Sequence, residues 1–294
     1  MTSDAAEESS KQKQSVGLRW LTALILIPII LIFVWFGGWV AFVALIVIVV
    51  LGTLELQSMM RHTGHRLLTG ISIALSCLFL LAAMLPQQQL LILQIGIGGA
   101  LVASFTWLFF RKDLEGSLVD WAFTLAFPIY LGWSMSFFLV LRGNIADTIG
   151  GAGGAWITLP VGTWWVLVVL LGVWGFDSAA FFTGRYLGRH KVAPQISPGK
   201  TWEGIAGGML LAIIAALICT VRQLAVPWYF AILLGLLIGS AAVLGDLAES
   251  LIKRQMRVKD SGHILPGHGG VLDRIDSLLF AVIVVYIFSQ FVGR

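Results

Sequence analysis

The chain has 294 residues, of which 58% are hydrophobic and only 12% charged, and its mean hydropathy is +0.92. This composition excludes an ordinary water-soluble globular protein. The formal net charge is +4. The two cysteines fall within apolar runs and show neither the spacing of a zinc site nor that of a disulfide framework.

Nine apolar runs follow one another along the chain, each long enough to cross a hydrocarbon core about 30 Å thick as a helix. They predict an all-α polytopic integral membrane protein with about nine transmembrane helices. The first run is too long for a signal-peptide core and no cleavage site follows it, so we expect it to be retained. The predicted spans are 18–36, 39–57, 67–85, 90–110, 119–141, 164–184, 203–222, 227–249 and 277–292.

The distribution of basic residues predicts the orientation of these spans. With the N-terminus in the cytoplasm, 16 of the 19 Lys and Arg residues fall on the cytoplasmic side. The three others are Arg142, Arg222 and Arg294. The positive-inside rule predicts such a bias for the correct topology. We therefore expect a cytoplasmic N-terminus, and a cell (inner) membrane as the location.

Polar residues divide the chain into four regions. Residues 1–17 are a polar tail, and residues 18–141 hold helices one to five, with few polar groups. A Gly-rich, nearly uncharged non-cytoplasmic loop is predicted at 142–163. Residues 164–294 hold helices six to nine with their cytoplasmic loops, and this is the candidate catalytic region. In the first half, Glu55 is interpreted as a surface carboxylate whose stem reaches the membrane interface.

Glycines at four-residue spacing occur twice in the second half. The pairs are Gly204 with Gly208 and Gly235 with Gly239. Small residues at this spacing let two helices approach closely. These pairs therefore predict close helix packing rather than ligand contacts.

The end of the eighth span carries four polar residues on one helical face. Asp246, Glu249, Ser250 and Lys253 are spaced i, i+3, i+4 and i+7. One interpretation is a local ion pair that lowers the cost of burial. The other is a functional site, which we favour because intramembrane carboxylates usually serve a function.

A dense polar segment, 250–276, separates the last two spans. It ends in the glycine-rich turn 267–270, followed by Asp273 and Asp276 at the start of the ninth span. Successive backbone N–H groups at such a turn can form an anion-binding nest, and a helix N-terminus adds partial positive charge. The two aspartates could also serve as helix caps. Carboxylates, cations and a nest together suggest Mg²⁺ and a polyphosphate.

The segment 197–201 ends in Gly-Lys-Thr but does not make a P-loop. Pro194 stands where that motif requires glycine, and we predict no strand before it. Thr201 is suited to cap the next helix and Lys200 to contact an anion. An ordinary basic cytoplasmic loop is the alternative interpretation.

Single polar residues add to these clusters. Asp177 lies inside the sixth span, so it needs a partner from a neighbouring helix or from a ligand. His268 is a candidate substrate contact because glycines flank it. His190 and His263 are interpreted as loop residues.

These motifs together resemble the signature of the phosphatidate cytidylyltransferase family, the CDP-diacylglycerol synthases. The first group is Ser250-x-x-Lys253-Arg254, Lys259-Asp260, Pro266-x-His268-Gly269-Gly270 and Asp273-Arg274-x-Asp276. The second is Asp177-Ser178-x-Ala180, Gly184-Arg185-x-x-Gly188 and Ser197-Pro198-x-Lys200-Thr201-x-Glu203-Gly204. The resemblance covers roughly residues 174–276.

The resemblance implies an enzyme of phospholipid biosynthesis that condenses CTP with phosphatidate, giving CDP-diacylglycerol and pyrophosphate. It also implies Mg²⁺, possibly with a monovalent cation such as K⁺, and a homodimer in the bilayer. Nucleic acid is not an expected partner. The phosphate oxygen of the lipid would attack the α-phosphorus of CTP in line.

The same resemblance assigns roles to residues. Those implied in catalysis are Asp246, Asp273 and Lys253, and the implied metal ligands are Asp246, Asp273 and Asp276. Those implied in substrate binding are Asp177, Arg185, Ser197, Lys200, Thr201, Glu203, Ser250, Arg254, Lys259, Asp260, His268, Gly269, Gly270 and Arg274.

Two other functions are compatible with the same residues. A secondary transporter can use intramembrane carboxylates along an ion path, although it should place them near the bilayer midplane with access from both sides. Another lipid-directed nucleotidyl- or phosphotransferase would have a similar magnesium–polyphosphate site. Only the family signature separates it from cytidylyl transfer.

Overall fold

The computed structural model describes Leu24 and residues 27–112, 114–144, 159–262, 264 and 269–292. Ten α-helices occur in these residues. They are α1 (Ile27–Phe36), α2 (Gly38–Arg61), α3 (Thr69–Met84), α4 (Gln89–Phe109), α5 (Ser117–Pro128), α6 (Ser134–Asn144), α7 (Val161–Leu187), α8 (Trp202–Ala216), α9 (Trp228–Gln255) and α10 (Leu272–Val292).

Apolar helices in the described residues overlap each of the nine predicted runs. Within the described residues, seven helical segments are long and apolar enough to cross a membrane, and α1 and α3 are shorter apolar helices. One of the seven, Ser117–Gly143, joins α5 to α6 through the π-helical turn Ile129–Trp133, directly after Pro128. The chain is thus a helical, multi-pass membrane protein.

Two helices extend further into the polar segment than their hydropathy predicts. α9 continues to Gln255 rather than ending near 249, and α10 begins at Leu272 rather than at 277. Because of these extensions, Lys253 and Asp273 lie on rigid helix rather than in a loop. The terminal tail, residues 145–158 of the predicted 142–163 loop, His263 and His268 lie outside the described residues.

Helices α7, α8, α9 and α10 pack together as the C-terminal bundle. The contacts between α7 and α8, α9 and α10, and α8 and α9 are the most extensive in the molecule. A side chain at Gly204 would approach the Ala180 carbonyl oxygen to 2.9 Å, and one at Gly235 would collide with the backbone of Ile213. The prediction that these glycines serve close helix packing is confirmed.

A short antiparallel hairpin lies between α7 and α8. Its strands are β1 (Lys191–Ala193) and β2 (Ser197–Thr201), and β2 runs directly into α8. The expectation that no strand precedes Gly199-Lys200-Thr201 was therefore wrong, although the described structure is otherwise helical. The pairing is local and antiparallel, so it does not restore a P-loop, whose strand belongs to a parallel sheet.

Helices α2 to α6 form the N-terminal bundle and contact the other half mainly through α6, which packs on α7 and α10. The start of α5 is fixed by a buried ion pair. Asp120 accepts hydrogen bonds from Arg111 Nη1 at 2.6 Å and from the Arg66 backbone N–H at 3.1 Å, and its Oδ1 lies 2.9 Å from His65 Nδ1.

Candidate active site

A cavity of about 1190 Å³ opens among α7, the hairpin, α8, α9 and the start of α10. It collects most of the predicted site residues from positions far apart in the sequence. The predicted residues that line it are Asp177, Arg185, Ser197, Lys200, Thr201, Asp246, Lys253, Asp260, Gly269, Asp273, Arg274 and Asp276. Phe176, Ala180 and Phe181 of α7 give the same cavity an apolar side.

Lys253 joins the two helices on one side of this cavity. Its Nζ lies 2.9 Å from Glu249 Oε2, one turn earlier on α9, and 2.6 Å from Asp273 Oδ1 on α10. The predicted local ion pair on α9 therefore exists, but it is shared with a carboxylate from another helix. One ammonium group thus holds two carboxylates at the cavity wall.

Lys200 makes the corresponding contact on the other side. The hairpin directs it to α9, where its Nζ lies 2.7 Å from Asp246 Oδ2 and 3.3 Å from the Val243 carbonyl oxygen. Ser250 Oγ donates to Asp246 Oδ1 at 3.2 Å, as expected for residues one turn apart on the same face. Thr201 accepts from the Gly204 N–H at 3.2 Å, so the prediction that it caps the next helix is confirmed.

Asp273 is fixed from its other side by the loop after α9. Its Oδ2 accepts from the backbone N–H of Ser261 at 3.1 Å and of Gly270 at 3.0 Å. Ser261 Oγ also donates to it, at 2.9 Å. With Lys253 on Oδ1, both oxygens of this carboxylate have defined partners.

Three backbone N–H groups after Gly269 donate to carboxylates of the protein itself. Gly269 has φ +82°, a conformation that favours glycine. Of the N–H groups that follow, that of Gly270 donates to Asp273, and those of Val271 and Leu272 donate to Glu55. These three N–H groups therefore serve internal carboxylates, whereas Gly267 and His268 of the predicted nest lie outside the described residues, so the nest stays a prediction.

Glu55 is different from its predicted role. Glu55 is only 3% exposed. Its two carboxylate oxygens accept hydrogen bonds from Val271 N at 2.8 Å and from Leu272 N at 3.0 Å. It is a buried carboxylate at the start of α10, so its interpretation as a surface residue was wrong. Nothing in the sequence indicated that backbone N–H groups at the start of α10 would bind this carboxylate in the interior.

One carboxylate in the cavity has an unsatisfied oxygen. Glu249 is 1% exposed, and its Oε1 has no hydrogen-bond partner among the described residues. A buried polar oxygen without a partner costs free energy, so this position favours a bound ligand or ion. Asp177 also lines the cavity, where it is exposed.

Other predicted residues lie near the cavity without lining it. Glu203 Oε1 lies 2.6 Å from His190 Nδ1, and its other oxygen accepts from the Arg189 N–H, which fixes the end of the hairpin. Arg254 donates to the Ile196 carbonyl oxygen at 3.2 Å. Lys259 is exposed on the loop after α9. Ser250 donates a hydrogen bond to Asp246, and the Gly270 N–H donates one to Asp273.

A family model described as the cytidylyltransferase family matches residues 17–292. The chain belongs to this cytidylyltransferase family. A phosphatidate cytidylyltransferase of Bacillus subtilis is 41% identical over 164 residues, which is 55% of each chain. Another, of Pseudomonas aeruginosa, is 39% identical over 175 residues, or 51% of this chain and 63% of that protein. An uncharacterized protein of Escherichia coli K12 is 40% identical over 166 residues, or 55% of this chain and 53% of that protein.

The family membership covers nearly the whole chain, whereas the pairwise matches are shorter. The chain spans between half and two thirds of the length of these relatives. Membership agrees with the family resemblance of residues 174–276 and extends it to the N-terminal helices.

Sequence reasoning missed two buried carboxylates, one lining the cavity and one bonded to the start of α10. Glu249 was placed on the correct face of α9 but was not assigned to the site, although its i, i+4 spacing to Lys253 was the available signal. Glu55 is separated by 216 residues from Val271, and no local pattern connects them.

Proposed function

We propose that this chain is a CTP:phosphatidate cytidylyltransferase that forms CDP-diacylglycerol and pyrophosphate. The observation that carries the proposal is the mixed cavity, where lysines, arginines and carboxylates face the apolar side chains of Phe176 and Phe181. Its volume of about 1190 Å³ exceeds the roughly 300–1,000 Å³ of a typical small-molecule pocket. A nucleoside triphosphate and a lipid phosphate therefore have room to meet there, with the acyl chains on the apolar side.

The two lysines are suited to bind phosphate oxygens. An ammonium group has three N–H donors. Among the described residues, Lys253 contacts two carboxylates, and Lys200 contacts Asp246 and the Val243 carbonyl, so each retains one donor. The carboxylates also hold the lysine side chains in place, which reduces the conformational entropy lost when substrate binds.

The carboxylates of the cavity fit a Mg²⁺ ion whose remaining ligands are supplied by the substrate. No three His, Cys, Asp or Glu residues in the described parts of the chain are grouped as a self-sufficient metal site. Mg²⁺ usually takes one or two carboxylates together with phosphate oxygens and water. We propose Asp246 and Asp273 as those carboxylates, with Asp276 beside them. The unpartnered Glu249 Oε1 is a further oxygen donor, suited to a monovalent cation such as K⁺.

The proposed reaction is an in-line displacement at phosphorus. A phosphate oxygen of phosphatidate forms a bond to the α-phosphorus of CTP, the bond to the β-phosphate breaks, and pyrophosphate leaves with the electron pair. The nucleophile is already anionic, so no strong general base is required. Mg²⁺ held by Asp246 and Asp273 would supply charge neutralisation on the triphosphate, and Lys200, Lys253 and Arg274 stabilise and position the phosphates.

We further propose nine membrane crossings with the N-terminus in the cytoplasm, in the cell (inner) membrane. The bias of Lys and Arg toward one side supports this topology. In this proposed topology the cavity would open on the cytoplasmic face, where CTP is dissolved and the lipid headgroup lies at the interface. A homodimer in the bilayer is part of the same proposal.

The test uses the full chain in detergent with phosphatidate and Mg²⁺, supplied with either CTP or ATP. We expect lipid-dependent pyrophosphate release and a nucleotide-linked lipid with CTP only. Asp246→Ala should abolish both products, whereas the matched control Lys112→Ala, at an exposed cation between α4 and α5, should retain them. Turnover with ATP alone would favour another lipid-directed transferase, and an intact but inactive protein would favour a transporter.

A further inference from the structure

Glu55 belongs to the N-terminal bundle, yet its contacts are with the segment that carries Asp273. All described residues that line the cavity lie between Phe176 and Ser277, so Glu55 is not among them. It is located six residues before the end of α2, beside the buried side chains of Leu56 and Met59. Any effect of Glu55 on the reaction must therefore be indirect.

The carboxylate of Glu55 supplies acceptors to the first turn of α10. The first N–H groups of a helix have no partner within that helix and carry partial positive charge. Glu55 Oε1 accepts from Val271 N at 2.8 Å, and Oε2 accepts from Leu272 N at 3.0 Å. A carboxylate from a distant helix thus performs the task that a neighbouring N-cap side chain usually performs.

Ser261 connects Glu55 to Asp273. Its Oγ lies 3.2 Å from Glu55 Oε2 and 2.9 Å from Asp273 Oδ2. A hydroxyl has one proton, so the two carboxylates share a single donor. Glu55 and Asp273 together hold Ser261, within the loop between α9 and α10, and the residues 270–272 that lead into α10.

Two glycines make room for this arrangement. A Cβ atom at Gly262 would lie 2.7 Å from Glu55 Oε1, and one at Gly270 would lie 2.8 Å from Glu55 Oε2. Both distances are shorter than normal contacts to a side-chain carbon. The absence of a side chain at these positions lets the loop close directly over the carboxylate.

We propose that Glu55 is a positioning residue for Asp273, acting through the loop and the first turn of α10. The proposal rests on the proposed function, in which Asp273 is a ligand of Mg²⁺. Glu55 fixes Val271, Leu272 and Ser261, and this leaves Asp273 Oδ2 held by Ser261 and Gly270 while Oδ1 faces Lys253. Loss of Glu55 should misplace Asp273 without removing any group that touches substrate.

The variant that tests this is Glu55→Gln, which keeps the shape but replaces one acceptor oxygen with an NH₂ group. That group would face backbone N–H donors. The matched control is Asp120→Asn, because Asp120 is also a buried carboxylate of the N-terminal bundle, 2% exposed, that accepts from a backbone N–H. Two quantities are measured on each full-length variant: amide hydrogen exchange of residues 261–275 and the half-saturating Mg²⁺ concentration for product formation.

Outer partners of metal ligands typically change metal affinity or activity by about 10–100-fold when removed. We expect Glu55→Gln to accelerate exchange in 261–275 and to raise the Mg²⁺ requirement about tenfold, and Asp120→Asn to do neither. Exchange equal to wild type would overturn the proposal. Faster exchange with an unchanged Mg²⁺ requirement would also overturn it, since the link to Asp273 would then be absent.

Two further outcomes remain decisive. If Glu55→Gln does not fold, Ser261→Ala removes the shared donor while leaving Glu55 with both backbone amides. It should raise the Mg²⁺ requirement, and a wild-type value would contradict the proposal. If the wild-type chain forms no nucleotide-linked lipid, the proposed function fails, while exchange at 261–275 and direct Mg²⁺ binding still decide whether Glu55 positions Asp273.

Discussion

Asp120 in the N-terminal bundle and Asp273 in the C-terminal bundle have similar partners but different surroundings. Each is largely buried, accepts hydrogen bonds from backbone N–H groups and pairs with a cation at 2.6 Å. Asp120 keeps Arg111 to itself, whereas Asp273 shares Lys253 with Glu249, whose second oxygen has no partner in the described structure. Burial of a carboxylate in a membrane protein therefore does not by itself indicate chemistry. A cation shared between carboxylates at the wall of a cavity is more informative.

The largest expected contrast is between alanine substitutions at these two aspartates. Asp273→Ala should lower kcat for CDP-diacylglycerol formation about 10³-fold, a loss of the size seen for central electrostatic groups. Asp120→Ala should leave kcat near wild type but destabilise the fold by about 3 kcal/mol, because it strands partly buried cations. Initial rates and thermal unfolding in detergent measure both effects. Equal losses of kcat in the two variants would contradict the expectation that Asp273 serves the reaction and Asp120 the stability of the fold.

The second contrast concerns the two cations. Lys253→Met should reduce kcat about 100-fold, because Glu249 and Asp273 would then face each other without a counter-charge and Asp273 would lose its position. Arg111→Met should reduce stability only, since Asp120 retains His65 and the Arg66 N–H. The same kinetic and unfolding measurements apply. A Lys253→Met enzyme with normal turnover would show that the shared cation is merely structural.

The smallest effect is expected at the junction of the hairpin and α8. Thr201→Ala removes the N-cap of α8 and should cost about 1 kcal/mol of stability. Thr201→Ser should retain it, because the serine hydroxyl accepts the same hydrogen bond from Gly204. Thermal unfolding of the two variants separates them, and identical midpoints would show that the cap contributes nothing.

Local sequence patterns predicted what depends on neighbours along the chain. Hydropathy located the helices, helical spacing placed Asp246, Glu249, Ser250 and Lys253 on one face, and a Thr before a helix predicted its cap. These inferences succeed because helix periodicity and capping are properties of a few consecutive residues.

Contacts between distant segments could not be predicted in the same way. The pairing of Lys253 with Asp273 needs α9 and α10 side by side, and that of Lys200 with Asp246 needs the hairpin that sequence reasoning did not foresee. Glu55 is the extreme case, since a lone carboxylate near a helix end resembles a surface residue until its donors are known. Gly262 and Gly270 can be read from the sequence, but why these positions lack a side chain is explained only by Glu55, which lies against them.

The long separation between Glu55 and its amide partners has a consequence for biogenesis. The ribosome makes Glu55 first, and Val271 follows 216 residues later. At roughly 5–20 residues per second this interval lasts on the order of 10 to 40 seconds. During that time α2 carries a carboxylate with no α10 to receive it, so the nascent bundle must leave that end hydrated or neutralise the charge with a proton. Arrival of α10 then brings the backbone N–H groups of Val271 and Leu272 to this carboxylate.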